Sequence, residues 1–361
     1  CGVKIYNTGN TTIVNNSDPL RANKKKFYCG NSGSTARFML GFLPSRGISG
    51  VLYGDRSLSK RPMNRIIKPL QKMNANLYSK SGTLPINFKA STVSRINHTL
   101  SVPSAQVKTS LIFAALTSRE KSIIKDPFNT RDHTERLIEF LGYRGDDYTQ
   151  FNIKKFNYTV PGDISSAAFL IAAALLLPQS NITIKNVLFN VTRIGFISSL
   201  ISMGANISII NKHLLQNESV CDINIKHTKK LKAITINRKK AITMIDEIPI
   251  FSLICAYAVG KSEIRGIEEL RYKESDRINS IIYNFKNMNI DIKEKNDGFD
   301  ITGPNRLYST SFKNFSDHRF ALLGEVINLI HNKPVSTKAE TRSLIKTSFP
   351  EFYDILGALY E

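Results

Sequence analysis

Gly30-Asn31-Ser32-Gly33-Ser34-Thr35-Ala36-Arg37 is the first of five stretches that join a polar loop to the start of an apolar helix. The other four are Pro103–Lys108, Pro161–Ser166, Asp246–Pro249 and Ser316–Arg319. Their starts lie about 60 to about 85 residues apart, which exceeds a solenoid repeat and suits a small α/β unit. A helix N-terminus offers backbone N–H groups and a positive dipole end, so the series predicts several anion sites.

The segments between these stretches share one order: a β-rich run, a polar loop, an amphipathic helix and a strand. The predicted β-rich runs are Gly50–Tyr53, Ser122–Ile124, Ile182–Ile184 and Ser262–Ile264. The predicted helices are Met63–Met73, Thr134–Leu141, Ile194–Met203 and Asp276–Met288. In the last copy, Pro334–Ser336 predicts a strand and Phe349–Leu359 a helix.

The beginning of the chain, Cys1-Gly2-Val3-Lys4-Ile5, resembles the strand that ends each unit. Five units and this tail indicate six, most simply arranged as two domains of three. We place the domains at residues 1–159 and 160–361, joined near Asn157–Val160 by a stiff hinge, since the junction is not rich in glycine or serine. Because the first unit lacks its first half, we expect an N-terminally truncated chain.

The composition fits a large folded protein, with 361 residues of which 42% are hydrophobic. The 50 Lys and Arg exceed the 29 Asp and Glu, for a net charge of +21. This charge has three interpretations: a nucleic-acid-binding protein, an ordinary solvated surface rich in lysine, or an electropositive cleft for phosphorylated small molecules. The chain has no clustered basic runs interleaved with aromatic residues, which disfavours the first.

The four cysteines, Cys1, Cys29, Cys221 and Cys255, have neither close pairing nor metal-ligand spacing. This indicates free thiols in a reducing compartment. The longest apolar run, Ala167–Leu177, is too short to cross a bilayer, and no signal peptide is recognisable. We therefore predict a cytoplasmic protein without a membrane segment.

Cations recur near the predicted helix starts, where the helix dipole disfavours them. Lys60 and Arg61 precede Pro62, which we place at the first position of a helix. Arg319 and Lys346 lie near two later helix starts. Taken alone, each motif also has a purely structural explanation. Gly30–Arg37 is typical of an ordinary capped helix, and Lys60 and Arg61 are typical of a solvated surface pair. Their recurrence at the same place in a repeated unit favours bound anions.

The stretch Arg271-Tyr272-Lys273-Glu274-Ser275-Asp276-Arg277 is the most specific of these motifs. Lys273 and Arg277 are one helical turn apart and would share a helix face. Lys273 would then hold Glu274, which could shuttle a proton while the two cations bind phosphate or carboxylate. A surface salt-bridge helix is the alternative. Asp246 and Glu247 begin an apolar helix, where one of them would serve as the N-cap.

In order along nearly the whole chain, these motifs closely resemble those of the 5-enolpyruvylshikimate-3-phosphate synthase (EPSP synthase) family. The resemblance is carried by Gly30–Gly33, Lys60–Pro62, Ser104–Lys108, Arg131–Glu135, Pro161–Ser166, Asp246–Pro249, Lys273–Arg277 and Asp317–Arg319. It implies an α/β (α+β) fold, a two-domain inside-out α/β barrel of repeated βαβαββ units with the first unit incomplete. It also implies transfer of enolpyruvyl from phosphoenolpyruvate to the 5-hydroxyl of shikimate 3-phosphate, without metal or organic cofactor, by a protein we expect to be a monomer.

The resemblance also implies roles for individual residues. The phosphoenolpyruvate contacts would be Gly33, Arg61, Gln106, Arg277, Arg319 and Lys346. The shikimate 3-phosphate contacts would be Ser104, Ala105, Gln106, Arg131, Asp246 and Lys273. Asp246 would take the proton from the attacking hydroxyl, and Glu274 would protonate the methylene carbon and later remove a methyl proton. A Cβ at Gly33 would intrude on phosphoenolpyruvate and on glyphosate, which occupies the same place in this family.

Two departures from the family pattern bear on activity. Ser34 stands where threonine is expected, a mild change. The family's first unit carries a Lys-Ser pair and an arginine that hold both substrates, and the chain starts after them, so we expect poor activity or an inactive fragment. A sister enzyme uses UDP-N-acetylglucosamine as acceptor, but its reactive loop cysteine has no equivalent here. Lys273–Arg277 also favours the shikimate enzyme.

Overall fold

The computed structural model describes residues 2–15, 20, 25–145, 147–306, 312–334, 336 and 338–358. The predicted first strand includes Cys1, the predicted last strand includes Val335, and the predicted last helix includes Leu359. These three residues lie outside the described residues. The chain divides into two compact units, Cys1–Phe156 and Asn157–Glu361.

The strands are short and distributed along both units. They are β1 Lys4–Thr8, β2 Thr11–Asn15, β3 Lys26–Tyr28, β4 Gly50–Tyr53, β5 Asn76–Tyr78, β6 Ile86–Lys89, β7 Asn97–Thr99, β8 Ser122–Lys125, β9 Asp147–Tyr148, β10 Asn181–Leu188, β11 Ile207–Leu215, β12 Glu218–Lys226, β13 Thr235–Ile236, β14 Gly260–Ile264, β15 Asp291–Lys295 and β16 Gly298–Gly303.

The α-helices are interspersed with these strands, and the last three described helices follow β16 in succession. They are α1 Gly33–Ser45, α2 Asn64–Lys72, α3 Ala105–Ala115, α4 His133–Phe140, α5 Ile164–Leu176, α6 Gly195–Ser202, α7 Arg238–Ile242, α8 Ile248–Tyr257, α9 Arg277–Asn287, α10 His318–Ile330, α11 Ala339–Lys346 and α12 Phe352–Ala358.

The sheets repeat one topology. In the first unit, strand order β3-β4-β6-β5 starts with a parallel pair and continues with antiparallel pairs. In the second unit, β13-β14-β16-β15 has the same order and the same directions. The sheet β10-β12-β11 is antiparallel, and Gly162 adds a parallel bridge to Val187 at the place of a first strand. The predicted repeated α/β fold is therefore confirmed.

Four of the five sequence stretches supply a helix N-cap through a side chain. Ser32, Ser104, Asp163 and Asp317 each accept a hydrogen bond from a backbone N–H in the first turn of the helix that follows. The fourth stretch differs: Glu247 occupies the N-cap position of α8 but makes no capping bond with its side chain. The predicted N-cap position is therefore confirmed for Glu247, although its side chain makes no capping bond.

The predicted helices match α2, α4, α6 and α9 to within one residue at each end. The placement of Pro62 at the first position of a helix is wrong, because α2 begins at Asn64. Helix α11 was not predicted, since Ala339–Lys346 lacks a clear apolar stripe in the sequence.

Each unit has a separate apolar core. In the first unit, Leu40, Leu52 and Ile66 are fully buried between the helices and the sheets. In the second unit, α5 and α8 are buried along nearly their whole length, which explains why both are apolar on all sides. Polar residues at the starts of these helices are thereby held on a rigid frame.

Candidate active site

The first unit gathers two arginines at the start of α1. Arg37 follows one turn after Gly33, and Arg61 comes from the loop before α2; both are 5% exposed. A Cβ built on Gly33 would lie 3.0 Å from Nη1 of Arg37 and 3.2 Å from Nη1 of Arg61. Two guanidinium groups therefore converge on a helix N-terminus, where N–H groups already favour an anion. The solvated-pair interpretation is wrong for Arg61.

Gln106 joins this cluster to the start of α3. Its Nε2 donates to the Ser34 hydroxyl at 2.8 Å, and its Oε1 accepts from the Arg37 guanidinium. Ser104 caps the same helix and Ala105 is its first residue, so these three predicted contacts share one turn. The predicted residues Gly33, Arg61 and Gln106 thus lie together. Arg37 belongs with them, and its position one turn after Gly33 is the signal that could have found it.

Lys108, in the second stretch, does not serve as an anion ligand. It is buried, with Nζ 3.0 Å from Oδ2 of Asp126 and 2.6 Å from Oε1 of Glu135. Two carboxylates therefore neutralise the charge of this lysine. Arg131 is half-buried in the loop that begins at Asp126 and precedes α4, the helix that contains Glu135.

The second unit contains a buried guanidinium group that pairs with three carboxylates. Arg277 is 1% exposed, and its Nε donates to Oδ2 of Asp317 at 2.8 Å. Its Nη2 donates to Oε2 of Glu274 at 2.7 Å, and its Nη1 to Oδ1 of Asp246 at 3.3 Å. Burial opposes the charge, but these three carboxylates raise the pKa of Arg277. The group stays ionised in a site from which water is largely excluded.

Lys273 and Arg277 meet at Asp246. Nζ of Lys273 lies 3.2 Å from the Asp246 oxygen that Nη1 of Arg277 also contacts. The predicted shared helix face is wrong, because Lys273 precedes α9 in an extended conformation and Asp276 caps that helix. The predicted partner of Glu274 also changes, since Arg277 holds its carboxylate. The predicted residues Asp246, Lys273, Glu274 and Arg277 are nevertheless brought together.

Asp317 links this cluster to the start of α10. It accepts from the backbone N–H of Arg319 at 2.9 Å while pairing with Arg277. Burial alone would raise the pKa of Asp317, but Arg277 outweighs it and holds the pKa at about 2. Burial and the charge of Arg319 lower the pKa of His318, which leaves its imidazole neutral near pH 7. Arg319 thus lies beside the cluster, half-exposed.

Lys346 is placed differently. It is the exposed last residue of α11 and lies six residues ahead of α12, which begins at Phe352. Within the described ranges, no ion pair or hydrogen bond joins it to Arg277 or its partners.

A further buried network connects α5 and α8 and was missed at the level of the sequence. The Glu247 carboxylate is fully buried and accepts from the Ser165 hydroxyl. Nη2 of Arg193 donates to the same hydroxyl at 2.7 Å and to Oδ1 of Asp163 at 3.4 Å. This network fixes the backbone that carries Asp246. Partners some 30 to 80 residues apart leave no local sequence signal.

Two general features concern metals and membranes. The described residues contain no group of three or more His, Cys, Asp or Glu side chains that could hold a metal ion. In the same parts of the chain, no helix has the length and apolar character needed to cross a membrane.

Comparison with known proteins gives consistent matches. The family model for EPSP synthase (3-phosphoshikimate 1-carboxyvinyltransferase) matches residues 2–356. The 3-phosphoshikimate 1-carboxyvinyltransferase of Endomicrobium trichonymphae is 41% identical over 344 residues, covering 92% of this chain and 79% of the relative. The protein of that name from Thermodesulfovibrio yellowstonii is 36% identical over 371 aligned residues, covering 99% of this chain and 86% of the relative.

Solved structures agree. EPSP synthase from Acinetobacter baumannii superposes with a TM-score of 0.82 at 31% identity, covering 99% of this chain and 84% of that one. An enolpyruvyl transferase from Streptomyces tendae has a TM-score of 0.69 at 16% identity with the same coverage, a likeness of fold alone.

Proposed function

This chain belongs to the EPSP synthase (3-phosphoshikimate 1-carboxyvinyltransferase) family, and we propose on that basis that it transfers the enolpyruvyl group of phosphoenolpyruvate to the 5-hydroxyl of shikimate 3-phosphate and releases phosphate. The observation that carries the proposal is the buried Arg277, which holds two candidate acid–base carboxylates, Glu274 and Asp246, within hydrogen-bonding distance. Such a site offers a strong anion ligand and proton-transfer groups together.

The phosphoenolpyruvate contacts are assigned to cationic and amide groups that can meet its carboxylate and phosphate. They are Gly33, Arg61, Gln106, Arg277, Arg319 and Lys346. The guanidinium fork of arginine matches both anions in two-point geometry. The bare Cα of Gly33 leaves room beside the arginines of α1. Lys346, at the exposed end of α11, would reach its substrate anion independently of these groups.

The shikimate 3-phosphate contacts are assigned to the first turn of α3 and to the Asp246 cluster. They are Ser104, Ala105, Gln106, Arg131, Asp246 and Lys273. Ser104 to Gln106 offer a helix N-terminus for the phosphate, and Arg131 offers a cation. Asp246 is the natural partner of a hydroxyl, since its carboxylate is held ready by Lys273.

Asp246 and Glu274 carry out the proton transfers of the reaction. The 5-hydroxyl oxygen bonds to C2 of phosphoenolpyruvate while Asp246 takes its proton and Glu274 gives a proton to C3, which makes a tetrahedral intermediate. Glu274 then removes a methyl proton as the C2–O bond to phosphate breaks, and the double bond re-forms. Substrate anions that bind Arg277 displace Glu274, whose freed carboxylate takes up a proton from solvent and so becomes the acid that protonates C3. Asp246 passes the proton of the hydroxyl to the departing phosphate. The surrounding cations stabilise the charge of the intermediate.

The proposed chemistry needs no metal or organic cofactor, and the partners are the two small-molecule substrates rather than nucleic acid. We propose a cytoplasmic monomer. The comparisons lend no support to transfer to UDP-N-acetylglucosamine, to a nucleic-acid-binding protein or to an inactive fragment.

The acid–base assignment is tested by hydrogen exchange. In D₂O with both substrates, the chain should release phosphate and incorporate deuterium at C3 of phosphoenolpyruvate, followed by NMR. Glu274→Gln should lower both rates by about 10²- to 10⁴-fold, the usual value of a proton-transfer group. Glu268→Gln is the matched control, since Glu268 pairs with the exposed Arg238. Undiminished exchange in Glu274→Gln would contradict the assignment.

A further inference from the structure

The loop that carries Arg131 is fastened to the first turns of α3 by a buried lysine. Nζ of Lys108 contacts Asp126 and Glu135, which bracket Arg131 in the sequence. It also donates to the carbonyl oxygen of Thr130, the residue before Arg131, at 3.5 Å. One cation therefore holds this loop at its beginning, at its middle and just beyond its end.

The loop is also organised internally around Asp126. Its carboxylate accepts from the backbone N–H of Phe128 at 3.0 Å and from the N–H and hydroxyl of Thr130 at 2.9 and 2.6 Å. Burial raises the pKa of Asp126, but the bonds from Thr130 and Lys108 outweigh this and lower it. The carboxylate therefore stays ionised and keeps its bonds at neutral pH.

A second link lies one residue further along α3. The hydroxyl groups of Thr109 and Thr134 share a hydrogen bond of 2.6 Å. Successive residues of α3 thus tie down both sides of Arg131. Ser104 caps the same helix, and Ala105 and Gln106 are its first residues. The contacts of Lys108 and Thr109 therefore set the distance from Arg131 to these three residues.

We propose that Lys108 is a positioning residue for shikimate 3-phosphate, acting through Arg131. The inference rests on the proposed function, which assigns Arg131 and the first turn of α3 to that substrate. Lys108 does not bind the substrate, since its ammonium group is buried against Asp126 and Glu135. Its buried charge has a purpose beyond stability, because an apolar side chain of similar length would fill the space without ordering the loop.

The test is a double-mutant cycle on the binding of shikimate 3-phosphate, measured by isothermal titration calorimetry on the full chain. Lys108→Met should weaken binding on the order of 10- to 100-fold, because Arg131 is then displaced and loses its contact with the substrate. In an Arg131→Ala background, the same Lys108→Met change should weaken binding less than about 3-fold. The arginine side chain that Lys108 positions is absent from that background. Lys121→Met is the matched control, since Lys121 forms an exposed pair with Asp147 in the same unit.

The outcomes separate the two claims. If the wild-type chain fails to bind shikimate 3-phosphate, the proposed function falls and the inference with it. If the wild type binds and Lys108→Met weakens binding equally in both backgrounds, the inference alone is overturned. Should Lys108→Met not fold, judged by circular dichroism, Glu135→Gln in the same cycle decides, because it keeps the Lys108–Asp126 pair and removes one charge. Strong coupling with Arg131 in either cycle supports the proposal.

Discussion

Gly33 leaves the space in which the side chains of Arg37 and Arg61 come together in the first unit. An added Cβ would meet the ends of Arg37 and Arg61 at 3.0 and 3.2 Å, closer than ordinary contact. Both side chains are flexible at their ends, so they would move rather than break the fold. The cost should therefore appear in substrate binding and not in stability.

We predict that Gly33→Ala raises the KM for phosphoenolpyruvate by about 10-fold, the effect of misplacing two ligands slightly. The melting temperature should change by no more than a few degrees, because alanine is a better helix former than glycine. Gly357→Ala is the control, since a Cβ there meets open space. Steady-state kinetics with each substrate varied in turn measure the effect. An unchanged KM would contradict the placement of this substrate.

Asp317 gives a prediction about pH. Its pKa falls from an ordinary 3.8 to about 2 on folding. A carboxyl group whose pKa is lowered contributes stability above its unfolded pKa and loses it as the pH falls through the folded value. The shift corresponds to about 2 kcal/mol of unfolding free energy at neutral pH.

Asp317→Asn should therefore be less stable than the wild type by about 2 kcal/mol at pH 7, since asparagine keeps the helix cap but not the charge. The difference should shrink between pH 4 and pH 2. Urea unfolding at several pH values measures it. A difference that does not change with pH would show that Asp317 contributes by packing alone.

At the scale of residues, the sequence identified most cations and acids of the candidate site but not their pairing. Lys273 and Glu274 are neighbours in sequence, yet they bind different partners because Lys273 precedes the helix. Likewise, the pairing of Lys108 with Asp126 and Glu135 depends on a loop that folds back on α3. Contacts across such sequence distances follow from tertiary structure, which local patterns do not contain.

At the scale of elements, helix starts were predictable because a capping side chain precedes an apolar run. Asp163 shows the effect at α5, where it accepts from the N–H groups of Ser165 and Ser166 at 3.1 Å each and also contacts Arg193.

We predict that Asp163→Ala lowers the unfolding free energy by about 1 to 2 kcal/mol. Asp163→Asn should lower it by less, because asparagine caps equally well. Equal losses in the two variants, measured in urea, would locate the contribution in the Arg193 contact instead.

Helix α11 and the actual pairing of Glu247 lay beyond prediction for physical reasons. Helix α11 is short and mostly exposed, with few apolar residues to set a period. Glu247 reads as an N-cap from its position, but its carboxylate turns inward to Ser165. A buried partner outweighs a local capping preference, since an unpaired buried carboxylate is costly.

At the scale of the molecule, the repeated strand order of the two units is the structural counterpart of the repeated sequence stretches. The sheets β3-β4-β6-β5 and β13-β14-β16-β15 place the helix starts of the two units in equivalent settings. Each unit packs its own core. The first unit carries the pair Arg37 and Arg61, and the second carries Arg277 with its three carboxylates. A net charge of +21 is spread over this framework, and only a few of its cations are buried in the candidate site.

The most direct test of the account is the identity of the product. Phosphoenolpyruvate would be incubated with the chain and equal concentrations of shikimate 3-phosphate and UDP-N-acetylglucosamine, and the products identified by mass spectrometry and phosphate assay. We predict 5-enolpyruvylshikimate 3-phosphate and phosphate in equal amounts, with the sugar nucleotide unchanged. Enolpyruvyl transfer to the sugar nucleotide, or no transfer to shikimate 3-phosphate, would contradict the account.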